Sequence, residues 1–65
     1  MPTIRLAVPP KAWNKDEKKK IVERLTDALA QVAQEEGKGD IKAFISVQID
    51  ETAEGGYAIG GKVFG

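Results

Sequence analysis

The residue with the clearest chemical potential is Pro2, which directly follows the initiator Met1. Small second residues permit removal of the initiator methionine, and Pro2 would then carry a free secondary amine. A free α-amino group titrates near pH ~8, and desolvation lowers that pKa toward neutrality. A neutral amine can take a proton from carbon or attack a carbonyl. The alternative interpretation is that Pro2 only begins an edge strand, where its missing N–H costs nothing.

The composition leaves few other candidates for catalysis. The chain contains no histidine and no cysteine, so the usual general base, the usual strong nucleophile and the usual zinc ligands are missing. Catalysis would therefore use carboxylates, lysines, hydroxyls or the terminal amine, and we expect no metal and no cofactor. The basic and acidic residues balance, which predicts no nucleic-acid and no membrane partner. Without an apolar span or a signal peptide, the expected location is cytoplasmic.

The length predicts a single domain over residues 1–65 that needs other copies of itself. A chain of this size buries only about 60% of its unfolded surface, so its own core is marginal. Disulfides and structural zinc are unavailable to it, which leaves oligomerisation as the common remaining means of stabilisation.

The sequence pattern predicts a strand, a long helix and a second strand. Residues 2–8 alternate between apolar and other positions until Pro9–Pro10 ends the strand. Asn14 and Glu17 form a capping-box-like pattern at the helix start, and Gly37 and Gly39 supply its stop. The predicted apolar face of the helix comprises Ile21, Val22, Leu25, Ala28, Leu29, Val32 and Ala33.

Period two returns from Ile41 to Asp50, which predicts the second strand. A strand–helix–strand order favours parallel strands, with the helix on their aliphatic face. The other face, which includes Phe44, is too mixed for a core and is predicted to be an assembly surface. Residues 57–64 contain two short apolar segments around Gly60–Gly61, which we expect to form a small hairpin that reaches a neighbouring subunit. The expected fold class is therefore α+β, a βαβ protomer with a short C-terminal hairpin.

Several features occur together in this chain. They are Met1–Pro2, the DEKKK helix start, the strand that ends at Asp50–Glu51, and Tyr57-Ala58-Ile59-Gly60-Gly61. In this combination the chain resembles the tautomerase superfamily, in particular 4-oxalocrotonate tautomerase-like proteins. The resemblance implies that two protomers pair into a four-stranded sheet with two helices, and that three such pairs form a homo-hexamer. It also implies a keto–enol tautomerase that acts on a small 2-oxo acid or related enol.

The resemblance assigns roles to residues at matching positions. Pro2 corresponds to the general base, and Tyr57 to an aromatic side chain that helps make the pocket apolar. The family's two substrate-binding arginines align near Ala12–Trp13 and at Ser46, and neither is arginine here. Lys11 could supply a cation near the first position, although it lacks the bidentate fork of arginine. Ser46 could donate a hydrogen bond to the substrate at the second.

The absence of both arginines leaves alternative interpretations of the site and of the function. Arg5 could contribute a cation from an adjacent strand, and a smaller or less charged substrate than a dicarboxylate fits better. A non-enzymatic oligomeric scaffold is an alternative, because a retained Met1 would turn the proline nitrogen into a non-basic amide. A related proline-dependent dehalogenase, hydratase or decarboxylase is a second alternative.

Overall fold

A computed structural model describes all residues 1–65, and its element order confirms the predicted α+β architecture. The first strand and the long helix are followed by one turn of 3-10 helix, a second strand and a short hairpin. The bounds are β1 Thr3–Val8, α1 Lys15–Glu35, the 3-10 turn Lys42–Phe44, β2 Ser46–Glu51, β3 Ala58–Ile59 and β4 Lys62–Val63.

Strands β1 and β2 pair in parallel, as the strand–helix–strand order predicts, with Thr3 opposite Ser46 and Val8 opposite Glu51. Alternate β1 residues are half-buried or buried, and the residues between them are exposed. The covered side carries Ile4, Leu6, Val8, Val47 and Ile49, and the uncovered side carries Thr3, Arg5, Ala7, Ser46 and Gln48. The sheet therefore has one face under the helix and one open face.

Helix α1 begins with the predicted capping box. The Asn14 side-chain Oδ1 accepts a hydrogen bond from the Glu17 N–H at 2.8 Å, and the Asn14 N–H donates to Glu17 Oε1 at 2.9 Å. Two backbone donors that the first turn leaves unpaired are thereby satisfied. Neither the helix nor the 3-10 turn combines the length and the apolar character that a membrane span requires.

The buried stripe of α1 differs from the predicted apolar face. Ala28 is exposed, and Val32 is 52% exposed, whereas Thr26 and Ala30 are half-buried. Positions 28 and 32 are one turn apart and lie at the edge of the stripe. The apolar stripe is thus wider than the area that the chain's own sheet covers.

The second strand begins at Ser46, and the predicted start at Ile41 was wrong. The residues between them include the 3-10 turn, in which the Phe44 N–H donates to the Ile41 carbonyl at 2.8 Å. Phe44 therefore lies outside the sheet and is 56% exposed. The ion pair between Lys42 Nζ and Asp27 Oδ1, 2.9 Å apart, links this turn to α1 and raises the pKa of Lys42.

The predicted C-terminal hairpin is confirmed. Ala58 pairs with Val63 and Ile59 with Lys62, so a two-residue loop connects β3 to β4. That loop is Gly60–Gly61, with φ of 58° and 83°. Positive φ at both central residues is what a type I′ hairpin turn requires, and glycine adopts it without a Cβ clash.

The isolated chain leaves much of its apolar surface open. Only Val8 and Ala33 are buried, while Phe44, Ile59, Val63 and Phe64 are each more than half exposed. Its accessible surface is 5095 Å², against roughly 4,000 Å² expected for a compact monomer of this mass. Its radius of gyration is 14.6 Å, against about 11 Å for a compact domain of this length. One chain alone is therefore an extended, incompletely packed unit.

Candidate active site

Pro2 lies at the end of the sheet where both parallel strands begin. Its carbonyl oxygen accepts a hydrogen bond from the Ser46 N–H at 3.0 Å, which fixes the residue next to the first residue of β2. Pro2 is half-buried, whereas Met1 is 96% exposed. Removal of Met1 would therefore leave the contacts of β1 in place.

Ser46 contributes a hydroxyl beside Pro2. Its Oγ lies 3.0 Å from Thr3 Oγ1 on the open face of the sheet, and either hydroxyl could be the donor. Both residues are exposed. The sequence predicted both Ser46 and Pro2 as site residues, and the parallel register brings them to the same end of the sheet.

Arg5 follows Thr3 along the open face, but its guanidinium already has a partner. Arg5 Nη2 lies 3.4 Å from Asp50 Oδ2, and Gln48 Nε2 donates to Asp50 Oδ1 at 3.1 Å. The Arg5 and Asp50 side chains both remain substantially exposed. The open face thus carries a neutral row of polar side chains that runs away from Pro2.

Lys11 lies at the opposite end of the sheet, beyond the last residue of β1. Its backbone N–H donates to Glu51 Oε2 at 3.3 Å, and its φ of 63° is in the left-handed region. The same carboxylate oxygen lies 3.0 Å from Lys18 Nζ. The hydrogen bond from Lys18 and then the one from the Lys11 N–H lower the pKa of Glu51, so the carboxylate stays ionised.

Tyr57 lies at the same end as Lys11. Its N–H donates to the Gly65 carbonyl at 3.3 Å, and its carbonyl accepts from the Phe64 N–H at 2.7 Å. Gly65 in turn lies so close to Pro9 that a Cβ on Gly65 would come within 2.8 Å of the Pro9 Cβ. An open hollow of about 260 Å³ lies here, lined by Pro10, Lys11, Glu54 and Gly65.

The four predicted site residues therefore form two groups within one chain. Pro2 and Ser46 lie at the end of the sheet where the strands begin, and Lys11 and Tyr57 lie at the end where the strands finish. The six residues of β1 separate these two ends by about 20 Å at the usual rise of a strand. A small molecule cannot contact both groups of one chain at once.

Glu51 and Glu54 were not among the predicted site residues. Asp50 and Glu51 face opposite sides, since Asp50 pairs with Arg5 and Glu51 with Lys18. However, Glu51 faces Lys11 as well, and the only sequence signal for that contact was its place at the end of β2. Nowhere in the chain do three or more carboxylates converge as metal ligands would.

A second open hollow, of about 280 Å³, lies between α1 and the 3-10 turn. The Lys42–Asp27 ion pair lies at its wall, together with Val22, Glu23 and Thr26. It contains none of the predicted site residues.

A comparison with known families identifies the relationship. A family model described as tautomerase enzyme matches residues 2–65. The chain belongs to the tautomerase family. No curated protein and no solved structure matched it at a significant level. Membership of the tautomerase family supports an isomerase function in general, and the matched region of this tautomerase-family chain starts at Pro2.

Proposed function

We propose that this tautomerase-family protein is a keto–enol tautomerase that acts on a small 2-oxo acid or related enol, with Pro2 as the general base. The observation that carries the proposal is the family match over residues 2–65, which starts at Pro2. The exposure of Met1 supports it, because an aminopeptidase can reach that residue. The half-buried position of Pro2 supports it as well, because partial desolvation favours the neutral amine.

In the proposed reaction the Pro2 nitrogen moves a single proton. The neutral amine accepts the proton of the enol hydroxyl while the electron pair of the double bond moves to carbon. The resulting ammonium returns a proton to that carbon, which leaves the ketone and regenerates the amine. A base positioned in this way contributes roughly 10²- to 10⁴-fold to the rate.

The active site in this proposal is completed by a neighbouring copy of the chain. Pro2 and Ser46 come from one subunit, and Lys11 and Tyr57 come from another, because about 20 Å separates the two groups within a chain. The surface in excess of a compact monomer is roughly 1,000 Å², close to the ~800 Å² that each partner contributes to a standard interface. A homo-hexamer built from paired sheets is the assembly that we propose.

The charges near the site favour a substrate with one carboxylate. Lys11 supplies one cation, and Glu54 lines the same hollow with an opposite charge. Arg5 is paired with Asp50, and Ser46 offers a neutral hydroxyl. A second carboxylate on the substrate would have no cation of its own, which makes an aryl or alkyl 2-oxo acid a better candidate than a dicarboxylate.

The direct experiment is to measure phenylpyruvate tautomerisation by the wild type and by Pro2→Ala. We expect the alanine variant to lose about 100-fold or more in kcat, because the ring amine is the proposed base. Methionine removal from both proteins is checked by intact mass, since alanine at position 2 also permits processing. Wild-type activity in the alanine variant would refute the proposed mechanism.

A non-enzymatic scaffold is the second candidate function. It is favoured by Ser46, a neutral side chain at a position where the resemblance to 4-oxalocrotonate tautomerase-like proteins implies arginine. It predicts an assembled protein without phenylpyruvate turnover that keeps Met1 after purification. A related proline-dependent dehalogenase, hydratase or decarboxylase would also lack this turnover but would lose Met1.

A further inference from the structure

Lys11 has the one unusual backbone conformation in this chain. It is the only residue other than glycine with a positive φ, at 63°. L-residues avoid this region because their Cβ approaches the following carbonyl oxygen. Such strain persists only where surrounding contacts impose it, and it is concentrated at binding and catalytic sites.

Glu51 contacts Lys11 in this conformation. Its Oε2 accepts the Lys11 N–H at 3.3 Å and lies 3.0 Å from Lys18 Nζ. One carboxylate oxygen therefore connects the turn after β1, the first turns of α1 and the end of β2. The hydrogen bonds from Lys18 and the Lys11 N–H lower the pKa of Glu51. A glutamate is ionised at neutral pH in any case, and an ionised acceptor forms the stronger hydrogen bond.

Lys11 also lines an open hollow on the surface of the chain. Lys11 lines the hollow of about 260 Å³ together with Pro10, Glu54 and Gly65. The chain at Gly65 lies against Pro9 and Pro10 on the other side of this turn. A change of φ at Lys11 would redirect its side chain relative to the hollow, whereas the two prolines beside it are fixed in φ.

We propose that Glu51 is a positioning residue for substrate binding: it holds Lys11 in the left-handed conformation that directs its ammonium group to the substrate carboxylate. This inference rests on the proposed function, because it takes Lys11 as the substrate cation. Glu51 itself contacts no substrate. Its effect is on affinity and not on the proton transfer, which belongs to Pro2.

The test compares Glu51→Ala, Glu51→Gln and Lys18→Met in steady-state turnover of phenylpyruvate. Glu51→Ala removes the acceptor of the Lys11 N–H, and we expect KM to rise about tenfold with kcat unchanged. Glu51→Gln keeps a neutral acceptor and is expected to raise KM less. Lys18→Met is the matched control, because it removes the exposed ion pair but leaves the Lys11 contact, so KM should stay within about twofold.

A second measurement reports on the backbone directly. The HN–Hα coupling and the carbon chemical shifts of Lys11 in NMR spectra distinguish positive from negative φ. We expect positive φ in the wild type and in Lys18→Met, and a shift toward negative φ in Glu51→Ala. An unchanged φ and KM in Glu51→Ala would overturn the inference.

The remaining outcomes are also decisive. If Glu51→Ala does not fold, Glu51→Gln must raise KM more than Lys18→Met does, and equal effects would mean that only the ion pair matters and would overturn the inference. Failure of the proposed function is seen separately, as full activity of Pro2→Ala or as no turnover by the wild type.

Discussion

At the scale of single residues, the contact between Ser46 and Pro2 makes position 46 the place to test substrate preference in the proposed site. The Ser46 N–H binds the Pro2 carbonyl, and its hydroxyl faces Thr3 on the open face. A side chain at position 46 therefore lies on the open face beside Thr3, the residue that follows the proposed base. Because serine is neutral, it can orient a substrate by a hydrogen bond but cannot neutralise a second carboxylate.

Replacement of Ser46 by arginine should change the substrate preference. An arginine forms bidentate, charge-assisted bonds with a carboxylate. Ser46→Arg should therefore raise kcat/KM for the dicarboxylate 2-hydroxymuconate, relative to kcat/KM for the monocarboxylate phenylpyruvate, by roughly tenfold. Ser46→Ala is the control and should leave that ratio near the wild-type value. No change in Ser46→Arg would place position 46 outside the substrate site.

The sequence identified these residues with unequal success. Pro2 could be proposed from the sequence because it stands directly behind Met1 and the family resemblance matches it to the general base. Glu51 could not, because the role proposed for it depends on a contact with a backbone N–H 40 positions away. Alternation along a strand predicts the face on which a side chain lies, but not which backbone group turns toward it.

At the scale of the elements, α1 shows how local signals set a boundary. The predicted capping box is present, with both reciprocal hydrogen bonds. The start of β2 was mispredicted because Ile41, Ala43 and Ile45 alternate as a strand does. Asp40 breaks that pattern locally, since its Oδ1 accepts the Lys42 N–H at 3.2 Å at the entrance to the 3-10 turn.

Removal of the helix cap should cost measurable stability. Asn14→Ala loses the acceptor of the Glu17 N–H, and we expect the free energy of unfolding to fall by about 1 kcal/mol. Urea denaturation at fixed protein concentration measures the change. Asn14→Ser keeps a capping oxygen, so its free energy of unfolding should fall by much less. Equal stability of the two variants would mean that the cap does not contribute.

At the scale of the whole molecule, the chain leaves much of its apolar surface uncovered. No other element covers the open face of the sheet or the C-terminal hairpin. The side of α1 that carries Ala28 and Val32 is uncovered as well. The sequence predicted this incompleteness from length and composition. It could not predict that the candidate site would be divided between the two ends of one sheet, because that follows from the strand register and the position of the C-terminus.

The divided site predicts complementation between inactive variants. Pro2→Ala and Lys11→Met should each have low activity alone, because Pro2→Ala lacks the proposed base and Lys11→Met lacks the proposed substrate cation. Unfolding and refolding them together in equal amounts should restore about a quarter of wild-type activity, since random assembly then forms that share of intact sites. Refolding each variant separately before mixing is the control. No recovery on joint refolding would mean that both residues act within one chain.

The most direct test of the central claim compares two chemically synthesised proteins, one spanning residues 1–65 and the other residues 2–65. They differ only in whether the Pro2 nitrogen is a free amine or part of a peptide bond with Met1. Both are assayed for phenylpyruvate tautomerisation in the same assembled state, which is checked by light scattering. We expect turnover by the protein that starts at Pro2 and a kcat about 100-fold or more lower with Met1 present. Equal activity of the two proteins would contradict it.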